Sequence, residues 1–411
     1  MSMSSSHTGF SDPARRISLF SRGRRALFVT LLERIAAGRL KVTFPDGATM
    51  LFGNLAAVPR AELSLRSWRA IDRLLLRGDI GFAEAYAAGE CETSDLAALF
   101  DLVVANEEVL KSRLSGSFAG RIANRLRHLL NSNTRRGSRA NISFHYDLGN
   151  DFYAAWLDPT MTYSAARYEQ VDQSLESAQI AKYRQICRAL GTKPGDRILE
   201  IGCGWGGFAE IAAGEFGVVV HGVTLSTEQL VFAKRRISRA GLGDRATFSL
   251  TDYRDLSGQY DYVVSIEMFE AVGQAYWPSF FDRLRARLKP GGKVFLQVIT
   301  IENERFDSYA ARPDFIQRFI FPGGMLPSPG HLDRLIADAG FDRVETQYAA
   351  SDYERTLIVW REAFAAAWPR IASLGFDERF KRLWTYYLHY CEAGFRHGAI
   401  DLGRFVLARA A

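Results

Sequence analysis

The sequence has few of the residues that build disulfide scaffolds or structural metal sites. Its 411 residues include four cysteines, which lie far apart and in no CxxC or Cys/His spacing typical of zinc binding. This pattern argues against a disulfide-rich class and predicts no metal site. Isolated cysteines are typical of a reducing compartment, so we expect a cytoplasmic protein.

The sequence also lacks a long apolar run. No stretch approaches the roughly 18 apolar residues of a transmembrane helix, and the opening MSMSSSHTGFSDPARR has no apolar core of a signal peptide. Contact with a membrane is therefore expected only at its surface, peripheral to the inner face.

What remains is the composition of an ordinary globular protein. Hydrophobic residues make up 47% and charged residues 24% of the chain, which excludes wholesale disorder and coiled-coil or collagen-like classes. At roughly 150 residues per domain, the length predicts two or three domains. No internal repeat is apparent.

The net charge of +6 is unevenly distributed. Residues 1–140 hold 21 Lys and Arg against 13 Asp and Glu, and 121–140 alone hold six arginines and no acid. A basic surplus leaves nucleic acid, an anionic membrane and acidic substrates open as partners. The Asn-, Ser- and Gly-rich half of 121–140 resembles a linker. We therefore predict an N-terminal domain over 1–135 and a second domain over 141–411.

The N-terminal third has the pattern of a small mixed α/β domain. A basic and apolar mixture over 15–28 predicts an amphipathic helix, and alternation around a Pro-Asp-Gly turn between Leu40 and Leu51 predicts a hairpin. Residues 64–110 are predicted to be helical.

After residue 141 the pattern changes to alternating strands and helices. Short β-rich runs at 197–201, 218–225, 246–250, 262–266 and 293–301 are separated by helical stretches. This alternation predicts an α/β, mostly parallel, doubly wound sheet with its active site beyond the carboxyl ends of the strands. The aromatic segment 302–328 interrupts the pattern and is predicted to be a lid or pocket wall.

A glycine-rich turn follows the first of these strands. Alone, GxGxGG fits a dinucleotide fold or a plain tight turn equally well. Here Glu200 precedes the glycines, no acidic ribose clamp follows the second strand, and Asp252 and Tyr253 follow the third. Together these positions resemble a Rossmann-like, S-adenosylmethionine (SAM)-dependent methyltransferase.

Further motifs narrow the resemblance. FHYDLGNDFY (144–153), MTYS (161–164), EIGCGWGG (200–207), DYRDL (252–256), MFEAVG (268–273) and FIFPGG (319–324) occur in this order. From about 141 to 405 the sequence resembles the cyclopropane-fatty-acyl-phospholipid synthase family, which includes mycolic-acid cyclopropane synthases.

The resemblance implies methyl transfer from SAM to the double bond of an unsaturated phospholipid acyl chain. The resulting carbocation closes to a cyclopropane when a bound bicarbonate removes a proton. Positions matching the bicarbonate site are Glu270, Gln297, Ile299 and Tyr353. Ala165 stands where the family has a Cys, and Gln297 where it often has a His. These departures leave a methyl-branched or methylene product open as an alternative.

The resemblance also implies a cofactor site and an aromatic acyl channel. Cys391 matches a Cys once proposed as catalytic, although burial in an apolar helix explains it more simply. Channel candidates are Phe144, Tyr146, Tyr163, Phe269, Phe319, Phe321 and Tyr353. Expected cofactor contacts are Tyr163, Ser164, Glu200, Gly202, Cys203, Gly204, Trp205, Gly206, Gly207, Thr224, Leu225, Gln229, Asp252 and Tyr253.

Other functions remain to be distinguished. The chain has no RRM, KH or zinc-finger signature, so we expect no nucleic acid partner and assign the basic N-terminal region to an anionic membrane surface. A small-molecule methyltransferase is a further alternative. A homodimer is compatible with the sequence.

Overall fold

The computed structural model describes residues 19–54, 56–114 and 148–409 of the chain. The chain divides into two compact units, Met1–Ser117 and Phe118–Ala411. The predicted linker at 121–140, and Phe144 and Tyr146 of the predicted channel, lie outside the described residues.

The first unit combines a small sheet with helices. Strand β1 (Arg39–Thr43) pairs antiparallel with β2 (Thr49–Gly53) and parallel with β3 (Arg60–Leu65), and β3 pairs with the short β4 (Cys91–Glu92). The β1–β2 pair confirms the predicted hairpin. The helices are α1 (Leu19–Leu32), α2 (Trp68–Ala87), α3 (Leu96–Ala105) and α4 (Glu107–Leu114).

The prediction of helix throughout 64–110 was wrong at two places. Strand β3 extends to Leu65, with Ala61, Leu63 and Leu65 buried in strict alternation, and β4 interrupts the helices. Within α2, Gly78 adopts a non-helical backbone with φ of 62° and ψ of −138°. The amphipathic pattern within 64–110 does correspond to helices, whereas the alternating burial in β3 has the period of two that is typical of a strand.

The second unit is built on a seven-stranded sheet. Its strands are β5 (Arg197–Ile201), β6 (Val219–Thr224), β7 (Ala246–Leu250), β8 (Tyr260–Ile266), β9 (Leu288–Ile301), β10 (Phe341–Tyr348) and β11 (Ile400–Arg409), in the order β10-β11-β9-β8-β5-β6-β7. Strands β5 to β9 pair in parallel, whereas β11 is antiparallel to both β9 and β10. The predicted α/β doubly wound sheet is confirmed, and β10 and β11 were not predicted.

Helices cover both faces of this sheet. Val263 and Val264 are neighbours on β8 but belong to two different buried clusters, as do Leu199 and Ile198 on β5. The helices are α5 (Asn150–Tyr153), α6 (Leu175–Leu190), α7 (Gly207–Phe216), α8 (Thr227–Arg239), α9 (Trp277–Arg287), α10 (Asn303–Ala311), α11 (Phe315–Phe319), α12 (Pro329–Asp338), α13 (Ala350–Ser373) and α14 (Glu378–Arg396).

The segment 302–328 contains α10 and α11 and lies against the residues that follow β8. The Met325 backbone N–H donates to the Glu270 carbonyl at 2.8 Å, and the Ile301 N–H donates to the Pro327 carbonyl at 3.0 Å. These bonds place the segment beside the carboxyl ends of β8 and β9.

The described residues contain neither a membrane-spanning helix nor a cluster of metal ligands. No helix there is long and apolar enough to cross a bilayer. No group of three or more His, Cys, Asp or Glu side chains in those same ranges is arranged to hold a metal ion.

Candidate active site

The glycine turn connects β5 to α7 through left-handed backbone conformations. Gly202, Gly204 and Gly206 have φ of +84°, +49° and +82°, which glycine adopts without strain. The Gly202 and Cys203 N–H groups both donate to the Val223 carbonyl, at 2.9 and 3.0 Å, and so fix the turn to β6. A Cβ on Gly204 would meet no protein atom within 4 Å. The turn therefore borders open space at the amino end of a helix, where a cofactor could approach.

Side chains around the turn are buried. Trp205 donates through Nε1 to Asn150 Oδ1 at 2.6 Å, and its ring lies 5.1 Å from that of Tyr153. Burial raises the pKa of the Cys203 thiol well above its ordinary value, so this Cys is not a thiolate. Burial also raises the pKa of Glu200, whose Oε2 has no hydrogen-bond partner. Such an orphaned oxygen beside the turn fits an absent polar ligand.

The ends of β6 and β7 hold the other predicted cofactor residues. Thr224 donates to Gln229 Oε1 at 2.9 Å, and both residues are buried, while Leu225 between them is partly buried. The Asp252 carboxylate accepts hydrogen bonds from Arg254 Nε at 2.8 Å and Nη2 at 2.6 Å. Asp252 would therefore share its carboxylate between Arg254 and an adenine. The Tyr253 ring packs edge-on against Phe280 at 5.3 Å.

Tyr163 and Ser164 are held by side chains from distant helices. The Tyr163 hydroxyl lies 2.7 Å from that of Tyr387. Lys182, buried in α6, donates to Ser164 Oγ at 2.7 Å and to the Ala165 carbonyl at 3.0 Å. Burial lowers the pKa of Lys182 to about 7, because a cation loses its hydration there.

Tyr163 also belongs to an aromatic cluster. Its ring lies 5.1 Å from Trp360, 5.4 Å from Tyr153, 5.7 Å from Trp156 and 6.5 Å from Phe321. We call Tyr153, Trp156, Tyr163, Phe321, Trp360 and Tyr387 the aromatic wall. Two predicted channel residues lie elsewhere: Phe269 is fully buried in the sheet core against Phe280 at 5.1 Å, and Phe319 packs on Phe315 at 5.6 Å.

Two carboxylates follow β8, three residues apart. Glu270 accepts a hydrogen bond from the Ile299 N–H at 2.6 Å through Oε1, whereas its Oε2 is buried without a partner. Burial, reinforced by the neighbouring Glu267 charge, raises the pKa of Glu270 to about 8. Glu270 and Ile299, predicted to act at one site, are therefore in direct contact.

Glu267 lies at the centre of the predicted catalytic residues. Its Oε1 accepts from Gln297 Nε2 at 2.8 Å and from the Ala165 N–H at 2.9 Å, and its Oε2 accepts from the Tyr353 hydroxyl at 2.7 Å. The structure thus brings Gln297 and Tyr353 together, but around a carboxylate of the protein itself.

A buried arginine fixes the Gln297 amide. Arg404 on β11 donates through Nε to Gln297 Oε1 at 3.1 Å, through Nη1 to Asp352 at 2.9 Å and through Nη2 to the Ala166 carbonyl at 2.9 Å. Because a guanidinium only donates, the amide oxygen must face Arg404 and the amide nitrogen must face Glu267.

The residues implied to bind bicarbonate do not fit an added anion. Gln297 donates to Glu267 and, at 3.3 Å, to the Ala165 carbonyl, Tyr353 donates to Glu267, and the Ile299 N–H donates to Glu270. The donors of Gln297, Tyr353 and Ile299 are thus already engaged by protein oxygens.

Cys391 lies on α14 and is partly exposed. Burial of its sulfur raises the pKa of the thiol far above the physiological range. It therefore lacks the thiolate character of a nucleophile, which favours the simple packing interpretation.

Three residues of this site, Glu267, Lys182 and Arg404, were not predicted from the sequence. Glu267 stands three positions before the predicted Glu270, and its signal was a second acid in the same motif. Lys182 and Arg404 are charged residues at core positions of an amphipathic helix and an apolar strand. A charge at a core position is unusual and signals a paired or functional role.

The fold and the glycine turn together define the class of protein. A seven-stranded sheet with one antiparallel strand, β11, next to its edge, and a GxGxGG turn after the internal strand β5, define a SAM-dependent methyltransferase of the Rossmann-like class. The cyclopropane synthase structure from Mycobacterium tuberculosis is similar with a TM-score of 0.62 and 33% identity, over 66% of this chain and 98% of that one. A mycolic acid cyclopropane synthase complexed with SAH and CTAB gives 0.62 and 32% over the same shares.

The family follows from the sequence comparisons. The family described as mycolic acid cyclopropane synthetase matches residues 133–405, and the chain belongs to it. Tuberculostearic acid methyltransferase of M. tuberculosis is 38% identical over 92% of this chain and 90% of its own length. Cyclopropane-fatty-acyl-phospholipid synthase of Escherichia coli K12 is 37% identical over 85% and 88%.

Proposed function

We propose that this protein transfers the methyl group of SAM to a double bond in the acyl chain of a membrane phospholipid, forming a cyclopropane fatty acid. SAM supplies an electrophilic methyl group on a sulfonium. Open space at Gly204 supports a cofactor at the glycine turn, and the Tyr153 ring contacts both Trp205 of that turn and Tyr163 of the aromatic wall.

The aromatic wall is the observation that carries this proposal. An alkene is a weak nucleophile, and its methylation leaves a carbocation. Such a site must be apolar and must offer electron-rich groups without a competing nucleophile. Tyr163 and Phe321, with ring centroids 6.5 Å apart, are the partly exposed members of the wall, and aromatic faces attract cations. A polar small-molecule substrate would have little use for this wall.

The names of the relatives support the same substrate class and leave two products to separate. One relative is named as a cyclopropane-fatty-acyl-phospholipid synthase and another, of similar identity, as a tuberculostearic acid methyltransferase. Both outcomes begin with methylation of an acyl alkene. A methyl-branched or methylene product is therefore the second candidate.

The N-terminal region supports a location at an anionic membrane surface. Within residues 23–110 the count is 10 Lys and Arg against 12 Asp and Glu, so the surplus lies in 1–22 and 111–140, with 11 basic residues against one acid. Basic segments bind anionic lipid at up to about 1 kcal/mol per residue. We propose peripheral attachment on the cytoplasmic side of a membrane through these segments, which lie mostly outside the described residues. A homodimer is a separate prediction from the sequence.

The test is a lipid analysis of a bacterial host that lacks cyclopropane synthase and expresses this protein. Mass spectrometry should show acyl chains heavier by one CH₂, and derivatisation should identify a ring. A methylene or saturated methyl branch would establish the alternative product. Unchanged lipids, with methylation of a soluble metabolite instead, would contradict the proposal.

A further inference from the structure

We propose that the Glu267 carboxylate is the internal base of the reaction, occupying the place that an external anion would otherwise take. This inference rests on the proposed function and specifies which group removes the proton. It is carried by the hydrogen bonds and by the backbone conformation of Glu267.

The surroundings of Glu267 are those of an anion site. Three donors converge on its two oxygens: Gln297 Nε2 at 2.8 Å, the Ala165 N–H at 2.9 Å and the Tyr353 hydroxyl at 2.7 Å. Burial raises the pKa of Glu267 above its ordinary value, but these three donors favour the ionised form and oppose that rise. Oε2 accepts one of these hydrogen bonds, which leaves a lone pair for a proton.

The donors cannot turn away from Glu267. Arg404 fixes the orientation of the Gln297 amide, and the Ala165 N–H belongs to a backbone whose carbonyl is held by Lys182 at 3.0 Å. By contrast, the nearby Glu270 accepts from the Ile299 N–H alone and has a buried oxygen without a partner. Of the two carboxyl groups, Glu267 is the one built to carry the charge.

The backbone of Glu267 is strained in a way that aims its side chain. Its φ of +49° is one of two positive values at non-glycine residues in the described chain. Such a conformation costs on the order of 1–3 kcal/mol and persists where the surroundings enforce it. Strain of this kind concentrates at functional sites.

Glu267 and Glu270 are both partly exposed as whole residues, whereas Gln297, Ala165 and Lys182 are at most 1% exposed and Tyr353 is 7% exposed. A base must reach its substrate, so either carboxyl group meets this requirement better than its donors, and the hydrogen bonds distinguish the two.

The step balances without a further reactant. The alkene π electrons form a bond to the methyl carbon as its bond to sulfur breaks, the electron pair staying on sulfur. Glu267 then takes a proton from the transferred methyl group. The released C–H electron pair closes the ring onto the cationic carbon, and the protonated carboxyl loses its proton to solvent before the next turnover.

The first experiment tests dependence on an external anion. Purified full-length enzyme is assayed with SAM and unsaturated phosphatidylglycerol vesicles in buffer freed of carbon dioxide, with and without added bicarbonate. We expect the wild-type rate to be unchanged by bicarbonate. A rate that falls on its removal and returns on its addition would overturn the proposal.

The second experiment removes the base. Glu267→Gln should lower turnover by about 100-fold or more, the usual contribution of a positioned base, while calorimetry shows unchanged SAM affinity. The matched control, Glu345→Gln on exposed β10, should retain wild-type turnover. Turnover of Glu267→Gln within a few-fold of wild type would refute the role.

The third experiment restores the base chemically, and so guards against a variant that merely misfolds. Glu267→Ala should bind bicarbonate or formate in calorimetric titrations, which the wild type should not, and should regain at least about tenfold activity with either anion. Absence of both binding and rescue would overturn the proposal. If the wild type methylates no lipid at all, the proposed function itself fails and this inference fails with it.

Discussion

At the residue scale, the site combines groups whose environments differ sharply over short distances. Glu267 accepts three hydrogen bonds, whereas Glu270, three residues later, accepts one through Oε1 and has a pKa raised to about 8 by burial. Pairs of carboxyl groups treated so differently can divide acid and base roles between them. The glycine turn contributes backbone shape and open space instead of side-chain chemistry.

The turn yields the first prediction, which concerns Gly204→Val. A β-branched residue is strained at φ of +49°, and its side chain would enter space that no protein atom occupies. We expect SAM binding to be lost in calorimetric titrations. Gly241→Val is the matched control, because Gly241 has φ of +68° and equally open surroundings but lies after α8. An unchanged dissociation constant for Gly204→Val would remove the turn from the cofactor site.

At the scale of elements, α6 and β11 each place a buried basic side chain in the site, although the two elements lie near opposite ends of the second unit in sequence. Lys182 lies on the buried face of α6, and Arg404 lies opposite Gln297 in the β9–β11 register. Each replaces an apolar residue that the periodicity of its element would lead one to expect. Each therefore makes the stability of its element depend on polar partners.

Lys182 yields a prediction on pH dependence. Its pKa is about 7 in the folded protein and about 10.4 in the unfolded chain. Between these values the unfolded chain binds one more proton, so this residue makes stability rise with pH and has no such effect below about pH 7. The unfolding free energy of the wild type minus that of Lys182→Met should thus rise by about 2 kcal/mol from pH 7.5 to 9. Urea unfolding measures it, and a pH-independent difference would contradict the assignment.

Arg404 yields a prediction on stability. Arg404→Met would leave Asp352, the Gln297 amide oxygen and the Ala166 carbonyl without their donor. We expect a loss of about 3–5 kcal/mol in urea unfolding. Arg343→Met on neighbouring β10 removes an exposed pair with Asp333 and should cost less than about 1 kcal/mol. Equal losses would show that the buried network contributes no more than a surface pair.

The same elements show what a sequence can reveal. Strands β5 to β9 were predictable because β-rich runs alternate with amphipathic helices. Strand β10 was not, since FDRVETQY is largely exposed. Strand β11 was not predicted either, although Gly398, with φ of +73°, marks the end of the preceding helix. The motifs were enough to assign Glu270, Gln297 and Tyr353. The position of Glu267 between Gln297 and Tyr353 was not predictable, because it depends on a left-handed backbone at Glu267 that no local sequence pattern indicates.

At the scale of the whole molecule, the surplus of basic residues and the predicted catalytic residues lie in different parts of the chain. In the described part of the first unit, arginines largely meet nearby acids: Arg24 pairs with Asp72 at 2.7 Å, and Arg73 with Glu90 at 2.9 Å. The unbalanced arginines stand near the ends of that region. Membrane attachment should therefore be separable from methyl transfer.

The corresponding prediction replaces the six arginines of 121–140 with Gln. Binding to anionic vesicles, measured by sedimentation, should weaken by at least about tenfold, since each basic residue contributes up to about 1 kcal/mol. Methylation of detergent-dispersed lipid should be unchanged. Replacing Arg34, Arg60 and Arg69 by Gln tests whether any loss of charge has this effect. Unaltered vesicle binding, or retention on RNA at physiological salt, would count against a lipid-binding role.

The position of β11 inside the sheet determines when the seven-stranded sheet can form in full. This strand, the last in sequence, lies between β9 and β10 and carries the arginine that orients Gln297. During synthesis, β10 has no neighbour to pair with until residues 400–409 have left the ribosome. The glycine turn and the parallel strands precede β11 in the sequence, but the Gln297 amide that donates to Glu267 is oriented only once β11 has joined the sheet.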